Sequence, residues 1–326
     1  RDRQARLVGS EMCIRDSWMI APIIRGWFRE ITPAPAGNVM AKSSGGTVHG
    51  RRLTYNCIPD EPCRHRVWRF LGREPLPATR STNTGPDNMT ELVFYDDAYL
   101  KQCDARVLES SEGGIVLDRT VFYPLGGGQP GDTGTLRLAD VMTVAVSDTR
   151  RRKDDGAVVH LVSDDVDLSA VREGDAVVAT IDWERRHAHM RIHTCLHLLS
   201  AVIPAGETGG AIRHDSGRLD FDLPGLTPER QDVERRLNEL IAQGHVVVSR
   251  WISGDELDAR PELVKTMSVA PPRGVPRVML LDIDGVDLQA CGGTHVANTS
   301  EIGPVTITKI ENKGARNRRV SIAFAG

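Results

Sequence analysis

The segment RIHTCLHLLSA, residues 191–201, has the pattern of a largely buried helix and contains two histidines. Its apolar residues recur at helical spacing, and four-residue spacing places His193 and His197 on one face of the predicted helix. His189 lies four residues before His193 and makes a rival pair. We favour His193 and His197 because the segment that holds them is more apolar. One such pair alone is equally typical of an ordinary buried helix.

A second pair with the same spacing favours a metal site over an ordinary buried helix. Cys291 and His295 lie in QACGGTHVANTSEIG, residues 289–303, where two glycines allow a tight backbone turn. Three imidazoles and one thiolate are ligands that favour tetrahedral Zn²⁺. The two pairs therefore predict one zinc ion per chain, bound by a helix and a loop: His193, His197, Cys291 and His295.

Length and composition are those of an ordinary globular protein. The chain has 326 residues, 40% hydrophobic and 26% charged, which allows two domains. No apolar run approaches the roughly 18 to 20 residues of a membrane span, so we expect no membrane association. The six cysteines show no disulfide spacing, which favours the reducing cytoplasm.

The chain changes character near Met89. Residues 1–88 mix Arg, Pro, Gly and Ser without periodicity, and carry 14 basic against 8 acidic residues. Residues 89–326 carry 27 basic and 36 acidic residues. We expect that translation begins at Met89 and that residues 1–88 are a spurious or disordered extension; a true basic extension is the alternative. In an acidic body, nucleic-acid contacts must come from local basic patches.

The strand and helix patterns predict an α+β protein. Short apolar runs between turns over residues 89–181 indicate a small β-barrel-like domain, or a sandwich. Its predicted strands lie at 92–95, 105–108, 114–117, 141–146, 158–162 and 176–181.

Residues 182–326 are predicted to form a two-layer α+β domain that holds the zinc. Asp182 is predicted to cap a helix that ends near Val202, and Thr227 a second helix that Gly244 closes. The predicted strands are 217–223, 246–252, 277–283, 305–310 and 319–324.

Five segments resemble a known family. They are GGGQPGDTG (126–134), HTCLHLL (193–199), TGGAIRHDSGRLDFDLPG (208–225), CGGTHVANTSEIG (291–303) and ITKIENKGARNRRVSI (307–322). Together they are similar to the free-standing alanyl-tRNA editing proteins of AlaX type and to the editing domain of alanyl-tRNA synthetase. The resemblance covers about residues 89–326.

The resemblance implies a hydrolase that deacylates mischarged tRNA-Ala, chiefly Ser-tRNA-Ala and secondarily Gly-tRNA-Ala. It also implies one zinc bound by the HxxxH and CxxxH pairs. A metal with four protein ligands is usually structural, whereas a catalytic zinc keeps an open position. Either one ligand is displaced by water or substrate, or the zinc binds the α-amino group; the sequence leaves both open, and it names no catalytic base.

Three glycines and one threonine are candidate substrate-binding residues. Gly126, Gly127 and Gly128 either present backbone N–H groups to the substrate or form a plain turn. Thr208 is a candidate partner for a serine hydroxyl, with a turn residue as the alternative. Cys195 is predicted to be a core residue.

Basic residues near the C-terminus are candidates for tRNA binding: Lys313, Arg316 and Arg318. Two further basic clusters, residues 150–153 and residues 185–191, strengthen the case for a phosphate-binding surface.

Three other interpretations compete. A zinc peptidase helix needs His-Glu-x-x-His, but Thr194 follows His193 here. A zinc-stabilised RNA-binding module without catalysis fits the same ligands. A detached editing fragment of the synthetase is disfavoured, because no ATP-binding aminoacylation domain is recognisable upstream.

Overall fold

The computed structural model describes residues 90–138, 142–265 and 276–325, together with two short strands near the N-terminus. These are β1 (Thr47–Val48) and β2 (Arg51–Arg52), which pair antiparallel. The chain divides into two compact units, Arg1–Thr79 and Arg80–Gly326. We predict that residues 1–88 are spurious or disordered. Apart from β1 and β2, these residues lie outside the described part of the chain.

The first half of the larger unit is built from strands. They are β3 (Glu91–Leu92), β4 (Gln102–Ser111), β5 (Gly114–Leu117), β6 (Arg119–Thr120), β7 (Gly134–Leu138), β8 (Met142–Val146), β9 (Asp148–Arg151), β10 (Val158–Leu161) and β11 (Ala176–Ile181). Seven of them form one antiparallel sheet in the order β8-β7-β11-β4-β5-β10-β9, and β3 pairs with β6. The prediction of a strand over 92–95 is wrong for Val93–Tyr95, which is a 3₁₀ turn.

This sheet is curled. Its two edge strands, β8 and β9, are joined by the single residue Ser147, so the two edges must approach each other. No backbone pairing between β8 and β9 is found among the described strands, and the predicted β-barrel-like domain is therefore not shown.

Helix α1 (Trp183–Val202) carries the first histidine pair, and both predicted ends are confirmed. The carboxylate of Asp182 accepts the N–H of Arg185 at 3.2 Å, which satisfies a free donor of the first turn. At the other end, the N–H of Ile203 donates to the carbonyl of Leu199, and Pro204 then ends the helix. Nearly the whole second half of the helix is buried.

The rest of the unit has two smaller antiparallel sheets and two more helices. The elements are β12 (Glu207–Ile212), β13 (Ser216–Asp222), α2 (Arg230–Gln243), β14 (Val247–Ser253), α3 (Gly254–Asp258), β15 (Arg277–Ile283), β16 (Asp287–Ala290), β17 (Val305–Asn312) and β18 (Asn317–Phe324). The sheets run β12-β13-β18-β17 and β14-β15-β16. The prediction of helices packed on antiparallel strands is confirmed for this part.

Helix α2 begins later than predicted. Glu229, not Thr227, accepts the N–H of Asp232, at 2.6 Å, while the hydroxyl of Thr227 lies 3.3 Å from Nε of Arg318. Gly244 ends the helix with φ of 69°, as predicted, because a left-handed residue there suits glycine.

The main core lies between α1, α2 and the four-stranded sheet. Gly217 allows α1 to approach β13 closely, since a Cβ there would lie 2.6 Å from Cγ2 of Ile192. Cys195 is fully buried in this core, as predicted. None of the described helices combines the length and the apolar character that a membrane crossing requires.

Candidate metal centre

The two predicted ligand pairs meet at one point. His193 and His197 project from α1, and Cys291 and His295 lie in the loop after β16. One ligand atom from each of the four residues lies within 4.8 Å of the others. The three imidazoles are buried and Cys291 is half-buried. These four residues form a cluster that can bind a metal ion.

The distances suit a small tetrahedral ion. Sγ of Cys291 lies 3.5 Å from Nε2 of His193 and 3.3 Å from Nε2 of His295. Zn–S bonds near 2.3 Å and Zn–N bonds near 2.05 Å at tetrahedral angles would separate the sulfur from each nitrogen by about 3.5 Å. The donor set and these two separations are compatible with a zinc ion.

Hydrogen bonds at the far nitrogens orient two of the rings. Nδ1 of His193 lies 2.9 Å from Oε1 of Gln129, an oxygen that only accepts. Nδ1 of His295 lies 3.2 Å from Oγ1 of Thr194, whose own proton goes to the carbonyl of Met190 at 2.9 Å. Each acceptor favours the tautomer with the proton on Nδ1, which leaves Nε2 free to bind a metal.

The third ring has an amide donor as its nearest partner: Nε2 of Gln289 lies 2.8 Å from Nδ1 of His197 and also donates to Oδ2 of Asp287 at 2.7 Å. Oδ2 of Asp287 lies 3.4 Å from Nδ1 of His197, and Asp287 also pairs with Lys265. Burial alone would raise the pKa of Asp287, but His197 and Lys265 hold that pKa below its ordinary value. The hydrogen-bond partners of His197 therefore do not favour the tautomer with the proton on Nδ1 in the way that those of His193 and His295 do.

The thiol of Cys291 is prepared for ionisation. Burial would raise its pKa, yet the surrounding imidazoles of His193, His295 and His197 outweigh burial and hold the pKa well below its ordinary value. Since a thiolate is the metal-binding form of cysteine, the cluster favours the form that binds zinc.

The sequence indicates that Gly293 allows a tight turn. In the structure, glycine is needed there because the imidazole of His193 lies against it. Among the described glycines with positive φ neither Gly292 nor Gly293 appears, but a Cβ on Gly293 would overlap the imidazole of His193. At Gly292 the nearest atom to such a Cβ is Oη of Tyr95, at 3.6 Å. Gly293 is therefore sterically closed to a side chain, and Gly292 is open.

A cavity of about 660 Å³ opens onto the cluster. His193, His197 and Cys291 line it, whereas His295 lines a second, smaller cavity. This volume falls within the roughly 300–1,000 Å³ range of small-ligand sites.

The predicted glycines belong to the wall of this cavity. Gly126 and Gln129 exchange backbone hydrogen bonds of 3.1 and 2.9 Å around Gly127 and Gly128, whose φ values are 55° and 83°. Two central residues with positive φ are the signature of a type I′ turn. The segment is thus a tight turn that also faces the cavity; a role in substrate binding stays a prediction.

Thr208 is not among the lining residues of the cavity. Its hydroxyl donates towards the carbonyl of Asp220 at 3.1 Å and Oδ1 of Asn317 at 2.9 Å. Its strand neighbours Glu207 and Gly209 line the cavity instead. The structure therefore does not bring Thr208 to the metal cluster, and its predicted contact with a serine hydroxyl stays untested.

The C-terminal cations have partners within the chain. Arg316 forms a two-bond pair with Asp222 at 3.0 and 2.6 Å, and Lys313 lies 3.5 Å from Glu311. Arg318 is buried and donates to the carbonyl groups of Gly314 and Asn317. The tRNA contacts predicted for Lys313, Arg316 and Arg318 stay predictions, although little of the Arg318 side chain is exposed.

The arginines of the other two basic clusters also differ in burial and in their partners within the chain. Arg186 is fully buried and pairs with Asp132, so the prediction that it belongs to a phosphate-binding surface is wrong. Arg191 donates to the carbonyl of Ile302 at 3.0 and 2.6 Å. Arg151, by contrast, lines the cavity from an exposed position on β9.

Sequence reasoning missed Gln129, although its motif was recognised. Oε1 of Gln129 accepts from His193 and from the N–H of Thr294 at 3.2 Å, while Nε2 donates to Oγ1 of Thr294 at 2.8 Å. The side chain thereby joins the glycine turn, α1 and the Cys291 loop. A lone glutamine after three glycines carries no sign of these bonds, because both partner residues are distant in sequence.

Comparison with known proteins assigns the family. Residues 83–185 match the family described as tRNA synthetases class II (A), and residues 278–321 match the second additional domain of threonyl and alanyl tRNA synthetases. The alanyl-tRNA editing protein AlaX-M of Methanosarcina mazei is 39% identical over 241 residues, which is 71% of this chain and 95% of that protein. The AlaX-M protein of Saccharolobus solfataricus is 33% identical, covering 71% and 98%.

A longer protein shares the same region. The alanine–tRNA ligase of Methanococcus aeolicus is 32% identical over 242 residues, which is 72% of this chain but 25% of the ligase. The strand-rich module, the helix and the His/Cys cluster thus define a class II synthetase-related editing architecture. The chain belongs to the AlaX-M family of alanyl-tRNA editing proteins.

Removal of the thiolate should empty the cluster. Because the four ligands come from two separate elements, Cys291→Ala should bind clearly less zinc than the parent protein. Cys195→Ala is the matched control, since Cys195 is buried in the core away from the cluster. His189→Ala should also keep its zinc. The measurement is the number of zinc ions per chain, from elemental analysis of the purified proteins. If Cys291→Ala binds as much zinc as the parent protein, Cys291 is not a ligand.

The two adjacent glycines should respond differently to one added methyl group. Gly293→Ala displaces the imidazole of His193 and should weaken zinc binding by about 10- to 100-fold. Gly292→Ala has room for its Cβ and should bind zinc as the parent does. A competition titration against a chelator measures both affinities. Equal affinities for the two variants would show that the close approach of Gly293 to His193 is unimportant.

Proposed function

We propose that this protein hydrolyses the ester of tRNA-Ala that carries the wrong amino acid, with one zinc ion bound by His193, His197, Cys291 and His295. Serine is the proposed main substrate and glycine the second. The observation that carries the proposal is the opening of a His/Cys cluster onto a cavity of about 660 Å³. The names of the relatives, alanyl-tRNA editing proteins, support the choice of tRNA-Ala.

The chemistry of ester cleavage fits this donor set. A zinc ion, when bound, polarises a carbonyl group and lowers the pKa of water. The chain's own residues hold the ligands in place: Gln129, Thr194 and Asp287 fix the imidazole rings from outside. This orientation leaves the three cavity-facing ligands His193, His197 and Cys291 directed at the space that a substrate would enter.

The mouth of the cavity suits the 3′ end of a nucleic acid. We define the cavity mouth as Tyr95, Arg151, Trp251 and Arg277, all of which line the cavity. Trp251 is 40% exposed, and its ring lies 5.5 Å from that of Tyr95 and 4.5 Å from the guanidinium of Arg277. Aromatic rings beside cations are the usual platform for unpaired bases and their phosphates. The terminal adenosine of tRNA would bind here, with its ester directed inwards.

The cations at the mouth differ from the C-terminal cations in their partners. Among the described residues, Arg151 and Arg277 form no ion pair with a carboxylate, whereas Arg316 and Lys313 lie beside Asp222 and Glu311. An arginine without a carboxylate partner breaks no ion pair when it binds a phosphate. We therefore propose the mouth as the main phosphate contact and the C-terminal cations as a secondary one.

The direct test of the function is a deacylation assay. The zinc-loaded protein should hydrolyse Ser-tRNA-Ala, and more slowly Gly-tRNA-Ala, while leaving Ala-tRNA-Ala largely intact. Ser-tRNA-Ser controls for the tRNA body, and a chelator-treated sample controls for zinc. If the protein binds tRNA-Ala but leaves every ester intact, it is a zinc-stabilised RNA-binding module instead.

Two pairs of cations can be compared for their part in tRNA binding. Arg151→Ala with Arg277→Ala should weaken tRNA-Ala binding and flatten its salt dependence by about 0.7 to 0.9 in slope for each phosphate group that is no longer bound. Lys313→Ala with Arg316→Ala is the matched double variant and should have the smaller effect. The measurement is the dissociation constant over a range of salt concentrations. A larger effect of the C-terminal pair would move the main phosphate-binding surface there.

A further inference from the structure

One buried carboxylate in the cavity wall has no function in the metal centre. Glu207, the first residue of β12, lines the cavity and is only 7% exposed. Among the described residues neither of its side-chain oxygens has a hydrogen-bond donor or a cation as partner, and Oε1 is sealed from solvent without one. A buried carboxylate is costly unless it is paired.

The sheet register directs this side chain towards the metal side of the molecule. Glu207 pairs across the strands with Phe221, and the two side chains therefore share one face of the sheet. Leu219 lies two residues earlier on the same face, packs in the core against α1 and lines the cavity. Thr208, the next residue along the strand, has its hydroxyl bonded to Asp220 and Asn317 instead.

We propose that Glu207 binds the α-ammonium group of the aminoacyl ester. The inference rests on the proposed function and adds a substrate contact to it. The ammonium group brings a positive charge and three donors to a carboxylate that has neither among the described residues. Rotation about the last side-chain torsion of glutamate is soft, so either oxygen can turn towards the cavity.

The contact has a consequence for the range of substrates. Every aminoacyl ester carries an α-ammonium group, so Glu207 would not separate serine from glycine or alanine. It would separate aminoacyl esters from esters whose amino group is blocked or replaced.

The test compares two substrates that differ only in that group. Ser-tRNA-Ala carries the ammonium, and glyceroyl-tRNA-Ala, its α-hydroxy analogue made from glyceric acid, carries a hydroxyl in its place. Glu207→Gln keeps the shape of the side chain and removes its charge. We expect kcat/KM to fall by about 10- to 100-fold for the seryl ester and to change by less than about 3-fold for the glyceroyl ester.

The outcomes separate the alternatives. An equal loss on both esters would assign Glu207 to the water or the ester group, and no loss on either would remove it from the site; both results overturn the proposal. If the parent protein cleaves neither ester, the proposed function fails, and the contact is then judged by binding. The non-hydrolysable 3′-amide analogue of seryl-adenosine should bind the parent about 10- to 100-fold more tightly than it binds Glu207→Gln.

The melting temperature of Glu207→Gln distinguishes a role of Glu207 in substrate binding from a structural role. Because the carboxylate has no partner among the described residues of the free protein, Glu207→Gln should have a melting temperature equal to or above that of the parent, with unchanged zinc content. A lower melting temperature would show that the carboxylate is paired in the free protein and would overturn the proposal. Glu207→Asp, which retains the charge, should keep more seryl esterase activity than Glu207→Gln.

Discussion

The hydrogen bonds on the outer nitrogens of the three imidazoles are the interactions on which the site depends. An imidazole can bind a metal through either nitrogen, and an acceptor at Nδ1 decides which nitrogen is free. Gln129 and Thr194 supply that acceptor for His193 and His295, whereas Nδ1 of His197 lies beside the Gln289 amide and the Asp287 carboxylate. Without these bonds the ligands would be near each other but not directed at a common point.

These bonds also explain why the strand-rich module and the α+β part form one compact unit. Gln129 extends from the glycine turn of the first to α1 and the Cys291 loop of the second. Near the start of α1, the buried guanidinium of Arg186 pairs with Asp132 and donates to the carbonyls of Ala98 and Val121. Removing one partner of such a buried pair costs about 3 to 5 kcal/mol, so the module is a fixed wall of the cavity.

Much of the fold and the ligand set could be predicted from the sequence because these features are local. The limits of α1 follow from Asp182 and Pro204, and Gly244 marks the end of α2. The ligand pairs follow from four-residue spacing within one helix and one loop. The strand β12 was missed because Thr208, Gly209 and Gly210 are typical of a turn, whereas pairing with β13 holds them extended.

What the sequence could not provide is the set of interactions between distant residues. Nothing local marks Gln129 or Glu207 as part of the site, and Arg186 looks like a surface cation beside Arg185 until the fold buries it. The burial of Asp220 between Arg218 and Arg319 likewise depends on strand pairing. Such side chains acquire their roles only when strands and helices meet.

X-ray absorption at the zinc edge of the purified protein can show whether one thiolate and three imidazoles bind a single zinc ion beside the cavity. We expect one sulfur near 2.3 Å and nitrogen ligands near 2.0 to 2.1 Å. In Cys291→Ala the sulfur contribution should disappear. A spectrum of the parent protein without a sulfur ligand would rule out this zinc site.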